Sequence, residues 1–263
     1  MNPMLNIAIR AARNAGNIIV RSLNQVDNLK IAEKAQNDYV SEVDHKAENE
    51  IISVISRAYP GHAILGEETG QSGKPSDFQW IIDPLDGTTN FLRGFPQYSV
   101  SIALKHKDKL EVAVVYDPLR DEIFSAARGE GAQLNDRRIR VTKRKKMEGA
   151  LLGTGIPFRP DQDLNAYLET LKVLIYGTAG VRRAGSAALD LAYVAAGRFD
   201  GFWEFGLKPW DMAAGCLLIQ EAGGMITDMN GNQNYLENGN VLAGNVNIHQ
   251  HMLERLKALS SRN

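Results

Sequence analysis

One stretch constrains the fold of this chain more than any other, the run from Trp80 to Asn90 (Trp-Ile-Ile-Asp-Pro-Leu-Asp-Gly-Thr-Thr-Asn). Its apolar beginning predicts a buried strand that ends abruptly at the residues that break regular structure. A short helix is predicted to begin at Thr88, with Thr88 and Thr89 as capping residues. Asp83 and Asp86 are therefore predicted at the carboxyl end of a strand, and we expect the chemistry of the protein there.

A metal site is predicted at this strand end. The proline between Asp83 and Asp86 fixes one backbone dihedral, so both carboxylates and the Leu85 carbonyl can converge on one point. Such hard oxygen ligands suit a hard cation like Mg2+. Gly87 permits close backbone approach, and the amides of Gly87 and Thr88 at the helix start can cradle a phosphate. An isolated run of this kind is typically a surface turn, so acidic partners elsewhere in the chain decide the interpretation.

Acidic residues follow other predicted elements. A short strand, Ala63–Gly66, delivers Glu67, and a later strand delivers Glu204. Asp211 lies in the first turn of a helix, where an acid also favours the helix dipole. Each is an ordinary surface charge when taken alone, but beside the aspartate motif Glu67 becomes a third acidic ligand. Asp44 completes a capping box with Ser41 and is interpreted as a helix cap and not as a ligand.

The chain is predicted to form one compact catalytic unit with two halves. Residues 1–146 should hold two amphipathic helices and an antiparallel sheet that carries the metal motif, and residues 147–263 an α/β half. The predicted fold class is α/β, as an α+β layered sandwich of alternating helix and sheet layers. Residues 137–146, seven of which are Arg or Lys, are predicted to be a solvated strand edge and linker.

Composition excludes several classes of function. The 263 residues are 44% hydrophobic and 23% charged, which is typical of a soluble globular protein. The net charge of −1 gives no reason to expect a nucleic-acid or membrane partner. The single cysteine, Cys216, excludes an intramolecular disulfide and fits a reducing compartment. No apolar run approaches the length of a membrane span, so a cytoplasmic location is expected.

Four motifs occur in order along the chain, Gly66-Glu67-Glu68, the Asp83–Asn90 run, Gly185-Ser186-Ala187-Ala188 and Trp210-Asp211-x-Ala213-Ala214-Gly215. Together they resemble the inositol monophosphatase family of Mg2+-dependent, lithium-sensitive phosphatases. That family belongs to a larger superfamily with fructose-1,6-bisphosphatase and bisphosphate nucleotidases. The resemblance covers essentially the whole chain and implies the layered fold of that superfamily and a homodimer.

The resemblance also implies a role for each site residue. Two Mg2+ ions are implied per subunit, with a third, weaker ion near Glu67 and the loop residue Lys34. The implied metal ligands are Glu67, Asp83, Leu85 (through its carbonyl), Asp86 and Asp211. The implied catalytic residues are Glu67, Asp83 and Thr88, of which Thr88 and Glu67 orient and deprotonate the attacking water. The implied contacts to the phosphate and the polyol ring are Asp86, Gly87, Thr88, Gly185, Ser186, Ala187, Glu204 and Asp211.

The implied activity is hydrolysis of myo-inositol 1-phosphate and related small polyol phosphates by a metal-activated water. An alternative within enzymes is a bisphosphate nucleotidase or fructose-1,6-bisphosphatase, which would need a basic pocket near Glu204; Lys208 and the pair Arg182-Arg183 are the candidates. An alternative of another class is a binding role in ribosomal RNA transcription antitermination, since the chain is most similar to a bacterial branch associated with those complexes. Residues 137–146 and the arginine pair would then contact the transcription complex.

Overall fold

The computed structural model describes the backbone of residues 2–23, 31–35, 38–158 and 162–260, and the side chains of 2–23, 40–158 and 162–259. The helices in this part of the chain are α1 (Pro3–Ser22), α2 (Glu42–Ala58), α3 (Thr88–Leu92), α4 (Leu164–Leu174), α5 (Ala187–Ala195), α6 (Pro209–Glu221), α7 (Tyr235–Asn238) and α8 (Val246–Ser260). The side chain of Lys34, which was predicted to lie near a third ion, is outside the described residues.

The strands of the described residues form a hairpin and two sheets. They are β1 (Ile31–Ala35), β2 (Asp38–Ser41), β3 (Ala63–Gly66), β4 (Gly70–Ser72), β5 (Phe78–Asp86), β6 (Ser99–His106), β7 (Lys109–Asp117), β8 (Glu122–Ala127), β9 (Gly131–Leu134), β10 (Arg137–Arg138), β11 (Leu151–Thr154), β12 (Gly180–Arg182), β13 (Gly201–Glu204), β14 (Met225–Thr227) and β15 (Val241–Gly244).

The larger sheet has the order β10-β9-β8-β7-β6-β5-β3-β4, and the smaller sheet has the order β12-β11-β13-β15-β14. The larger sheet is antiparallel except where β3 runs parallel to β5. In the smaller sheet β11 is parallel to both of its neighbours, while β15 is antiparallel to β13 and β14. The predicted antiparallel sheet that carries the metal motif is therefore observed, with β3 as its one parallel strand among the described residues.

The helices and sheets alternate in five layers. Helices α1 and α2 cover one face of the larger sheet, α5 and α6 lie between the two sheets, and α4 and α8 cover the far face of the smaller sheet. Successive side chains of a strand point to opposite faces of the sheet, so each sheet contributes residues to two cores. In β13, for example, Phe202 packs in the central core and Trp203 in the outer one. The predicted α/β layered sandwich is confirmed.

Local sequence signals explain the helices that were predicted. Asn2 caps α1 and Pro3 occupies its first turn, while Ser41 and Asp44 form the capping box of α2. Helix α6 is apolar on every face because both of its sides are buried between sheets. The segment predicted as a strand edge contributes β10, whose two arginines are exposed at the end of the larger sheet.

The strand that carries the metal motif differs from its prediction. Strand β5 does not stop before Asp83 but continues to Asp86, and its pairing with β6 shifts between these two residues. One extra residue produces this bulge, because Pro84 and Leu85 together lie opposite the single residue Val100 of β6. Proline is tolerated there because no ladder donor is needed. The bulge places both aspartates at the edge of the central layer, where α5 and α6 begin.

The division of the chain at residue 146 stays a prediction, since α5 and α6 pack against strands of both sheets.

Among the described residues, no helix combines the length and apolar character needed to cross a membrane.

Candidate active site

All eleven predicted site residues line one cavity of about 480 Å3. It opens where the end of β5 and the start of α3 face the N-termini of α5 and α6. The residues are Glu67, Asp83, Leu85, Asp86, Gly87, Thr88, Gly185, Ser186, Ala187, Glu204 and Asp211. The fold therefore brings together residues from the four distant motifs and Glu204 from the end of β13, while their functional roles stay predictions.

Four carboxylates interact on one side of this cavity. Glu67 follows β3 directly, and the parallel pairing of Gly66 with Ile82 sets it beside Asp83. Burial raises the pKa of Asp83 well above its usual value, and the negative charges of Glu67, Asp86 and Asp211 raise it further. Asp83 and Glu67 also lie within hydrogen-bonding distance. Burial, followed by the charge of Asp86, likewise raises the pKa of Asp211 well above its usual value.

This set of oxygens fits a hard cation chemically. Two carboxylates about 4 Å apart repel each other by about 4 kcal/mol at an effective dielectric near 20, and a divalent ion would remove that repulsion. Among the described residues, no three His, Cys, Asp or Glu side chains are positioned together to hold a metal ion.

Asp86 is anchored to the start of α5. Its Oδ2 accepts a hydrogen bond from Ser186 Oγ at 2.6 Å and another from the amide of Ala188 at 2.8 Å. Burial raises the pKa of Asp86 to about 6, although these bonds and one from the amide of Ala187 oppose that shift. The amides at the α5 N-terminus thus bind a carboxylate of the protein itself.

Thr88 has a partner that the sequence interpretation missed. Its hydroxyl lies 2.7 Å from Oδ1 of Asp44 and 3.0 Å from the carbonyl oxygen of Leu85, and it can donate to either. The other oxygen of Asp44 accepts bonds from the amide and the hydroxyl of Ser41. The prediction that Thr88 and Thr89 cap α3 is wrong, because Gly87 is the N-cap, with φ of 94° and no side-chain cap.

A second acidic group lines the opposite side of the cavity. Burial, followed by the charge of Asp86, raises the pKa of Glu204 to about 8, while Arg183 opposes the shift. Gly155 makes room for this side chain, because a Cβ at that position would overlap the Glu204 carboxylate. The neighbouring Asp190 is buried, and its Oδ1 has no hydrogen-bond partner within the described part of the chain.

Asp190 was not predicted as a site residue. Burial, followed by the charge of Glu204, raises the pKa of Asp190 well above its usual value. The signal in the sequence was an acid inside the otherwise apolar helix α5. Arg183, one of the predicted basic candidates, does line the cavity, and its guanidinium lies 5.6 Å from the ring of Phe158. Arg93 adds a second cation to the lining.

Comparisons with known proteins identify the family of the chain. The sequence profile of the inositol monophosphatase family matches residues 1–262. A Pseudomonas aeruginosa protein named Nus factor SuhB is 56% identical over 262 residues, which cover 98% of this chain and 97% of that protein.

Solved structures show the same likeness across the chain. The extragenic suppressor protein SuhB from Bartonella henselae has a TM-score of 0.94 and 45% identity, and the match covers 97% of this chain and 99% of that one. An inositol monophosphatase from Anabaena has a TM-score of 0.85 and 38% identity, with 97% of this chain and 95% of that one covered. The profile match, these identities and the shared fold extend over nearly the whole sequence. The chain therefore belongs to the inositol monophosphatase family.

Proposed function

We propose that this protein is a Mg2+-dependent phosphomonoesterase that hydrolyses myo-inositol 1-phosphate and related small polyol phosphates. The observation that carries the proposal is the meeting of four carboxylates with the Thr88 hydroxyl in one cavity. Membership of a family of phosphatases that are generally metal-dependent supports the class of reaction. The Anabaena relative, itself described as an inositol monophosphatase, supports the class of substrate.

The ions would be held by the carboxylates of Glu67, Asp83, Asp86 and Asp211 and by the carbonyl of Leu85. Two Mg2+ ions are proposed, with a third, weaker ion near Glu67. Bound Mg2+ would polarise the phosphate and lower the pKa of a coordinated water.

The chain itself supplies the groups that orient and deprotonate this water. If the Thr88 hydroxyl donates its proton to Asp44, its oxygen is left to accept a hydrogen bond from water. Asp44 is fixed in turn by two hydrogen bonds from Ser41, so the threonine hydroxyl has a defined direction. Glu67, at the edge of the same cavity, is the proposed acceptor of the water proton.

The far side of the cavity is suited to a polyol. With a pKa of about 8, Glu204 is mostly neutral at pH 7, so it can both donate and accept hydrogen bonds with hydroxyl groups. Asp86, Gly185, Ser186 and Ala187 lie between this side and the metal ligands and are the proposed remaining contacts.

One observation supports the alternative that the protein is a bisphosphatase. Arg183 lines the cavity close enough to lower the pKa of Glu204, so a second phosphate has a candidate partner. Turnover of inositol 1-phosphate, fructose 1,6-bisphosphate and a nucleoside bisphosphate measured side by side would separate the two substrate classes.

The test of the proposed function is phosphate release from inositol 1-phosphate with and without Mg2+. Asp83→Asn should abolish turnover while the protein stays folded, because it removes the most central of the four carboxylates. Asp77→Asn is the matched control, since Asp77 is exposed and pairs only loosely with Lys107 at 3.8 Å. Near-normal turnover by Asp83→Asn, or no Mg2+-dependent phosphate release by the unmodified protein, would refute the proposal.

A homodimer is proposed on the basis of an exposed apolar surface around α4. Leu164, Leu168, Ile175 and Tyr176 are all exposed there, and Tyr176 retains 81% of its accessible surface. Contiguous apolar surface of this kind is typical of protein interfaces. Sedimentation velocity would measure the mass, and a monomer at micromolar concentration would contradict this proposal.

A second candidate function is a binding role in transcription antitermination. The Pseudomonas relative carries the name Nus factor. Six basic residues between 137 and 146 are exposed, and none forms an ion pair with a described acid; they are Arg137, Arg138, Arg140, Lys143, Lys145 and Lys146. Pull-down of transcription complexes by Asp83→Asn protein, with and without charge reversal of these six residues, tests this role. Binding that survives the loss of catalysis but not the charge reversal would support it.

A further inference from the structure

Helix α2 carries a second buried carboxylate one turn beyond Asp44. Glu48 has no accessible surface, and its Oε1 accepts a hydrogen bond from the amide of Glu68 at 3.0 Å. Its Oε2 is also buried and has no hydrogen-bond partner in the described residues. A buried carboxylate oxygen without a partner costs stability, so this side chain requires an explanation other than packing.

The contact of Glu48 fixes the backbone that carries Glu67. The amide of Glu67 donates to the carbonyl oxygen of Ile82 in β5 at 3.0 Å, and the next amide, that of Glu68, donates to Glu48. The backbone of Glu67 is therefore held on both sides, by the larger sheet through its own amide and by α2 through the amide that follows it. This matters because Glu67 lies beside Asp83, and two ionised carboxylates that close repel each other unless a cation lies between them.

The residue before Glu67 supports the same role. A Cβ at Gly66 would overlap Oε1 of Glu48 and would lie 2.8 Å from Oγ1 of Thr69. The φ angle of Gly66 is outside the left-handed region, so its backbone does not itself require glycine. The glycine at the end of β3 is thus explained by the space that the Glu48 carboxylate occupies.

We propose that Glu48 is a positioning residue that holds Glu67 in place for cation binding. The inference rests on the proposed function, because it assumes that Glu67 is a Mg2+ ligand. Partners that orient metal ligands typically contribute about 10–100-fold to metal affinity. Glu48→Ala should therefore raise the Mg2+ dissociation constant by about 10–100-fold. Glu48→Gln should raise it less, because the glutamine carbonyl can still accept the bond from Glu68.

The measurement is a calorimetric titration of Mg2+ into the metal-free protein without substrate, so it does not depend on turnover. Glu50→Ala is the matched control, since Glu50 lies on the same helix and accepts a 2.8 Å bond from Asn14 of α1, away from β3. This control should bind Mg2+ like the unmodified protein. Circular dichroism and urea unfolding would show that each variant is folded.

Gly66→Ala provides an independent test of the proposed role of Glu48. Alone, it should weaken Mg2+ binding by displacing Glu48. Combined with Glu48→Ala, it should add less than it does alone, because only the contact of the new Cβ with Oγ1 of Thr69 remains. The inference is overturned if Glu48→Ala binds within about threefold of the unmodified protein, well below the effect expected of an orienting partner, or if Glu50→Ala weakens binding equally. If the unmodified protein binds no Mg2+ and releases no phosphate, the proposed function fails together with the inference.

Discussion

Replacing Glu204 with glutamine should make the metal-free protein more stable, and increasingly so as the pH rises. Burial and the charge of Asp86 raise the pKa of Glu204 from an ordinary 4.5 to about 8. The folded state then holds this proton more tightly than the unfolded state. The unmodified protein therefore loses stability as the pH rises from the unfolded pKa through the folded one. Glutamine cannot ionise, so the variant does not have this loss.

The size of the effect follows from the gap between the two pKa values. Each pKa unit corresponds to about 1.36 kcal/mol, so the full gap is worth about 5 kcal/mol, of which about 3 kcal/mol falls between pH 5.5 and pH 9. This is an upper value, because water in the cavity screens part of the interaction. For a chain of this size about 3 kcal/mol corresponds to a shift in Tm of about 6 °C.

Urea unfolding and thermal melting in the presence of a chelator would measure this effect at both pH values. The matched control is Glu237→Gln, which replaces an exposed glutamate outside the cavity. Its stability difference from the unmodified protein should not change between pH 5.5 and pH 9. If the advantage of Glu204→Gln also stayed constant over this range, the Glu204 carboxyl would not be perturbed by its surroundings, and the reasoning would be refuted.

Three other predictions concern both sides of the cavity and its proposed metal ions. Thr88→Val should lower kcat by about 100-fold or more, as expected when a water-orienting group is lost, whereas Thr89→Val at the cavity rim should have a much smaller effect in the same phosphate-release assay. Gly155→Ala should displace the Glu204 carboxylate and raise KM for inositol 1-phosphate, while Gly61→Ala, whose Cβ would contact nothing within 4 Å, should leave KM unchanged. Mg2+ at about 100 times its dissociation constant should stabilise the protein by about 2.7 kcal/mol per bound ion, and a melting curve that does not respond to Mg2+ would contradict the metal assignment.

The elements that the sequence predicted well are those with their own periodic signal. Helices α1 and α2 carry apolar residues at helical spacing together with caps. Strand β6 alternates between apolar and small or polar residues, and β7 is a nearly continuous apolar run. Short elements such as β9, β12 and α7 were not predicted, because their three or four residues give only a weak periodic signal and such elements depend on the strands or helices beside them. The bulge in β5 was also missed, since its register is set by β6.

The site residues also fall into two groups, those that a local sequence pattern predicts and those whose role depends on distant residues. Asp83, Asp86 and Gly87 could be predicted because their chemistry is contained in one short run. Asp44 was interpreted as a helix cap, which it is. Its second role, accepting a hydrogen bond from the Thr88 hydroxyl, depends on a residue 44 positions away. Glu48 gave no signal at all, because a glutamate on an amphipathic helix is normally solvated.

The sequence by itself determined the kind of chemistry this chain can perform, because residue type fixes which oxygens are present and the aspartate motif fixes that two of them follow one strand. Only the tertiary structure decided which other acids join them, and in which protonation state. The reason is that proximity and burial set the pKa of a carboxyl group. Both arise here when β3, β5, α5 and α6 bring distant segments to the edge of one cavity.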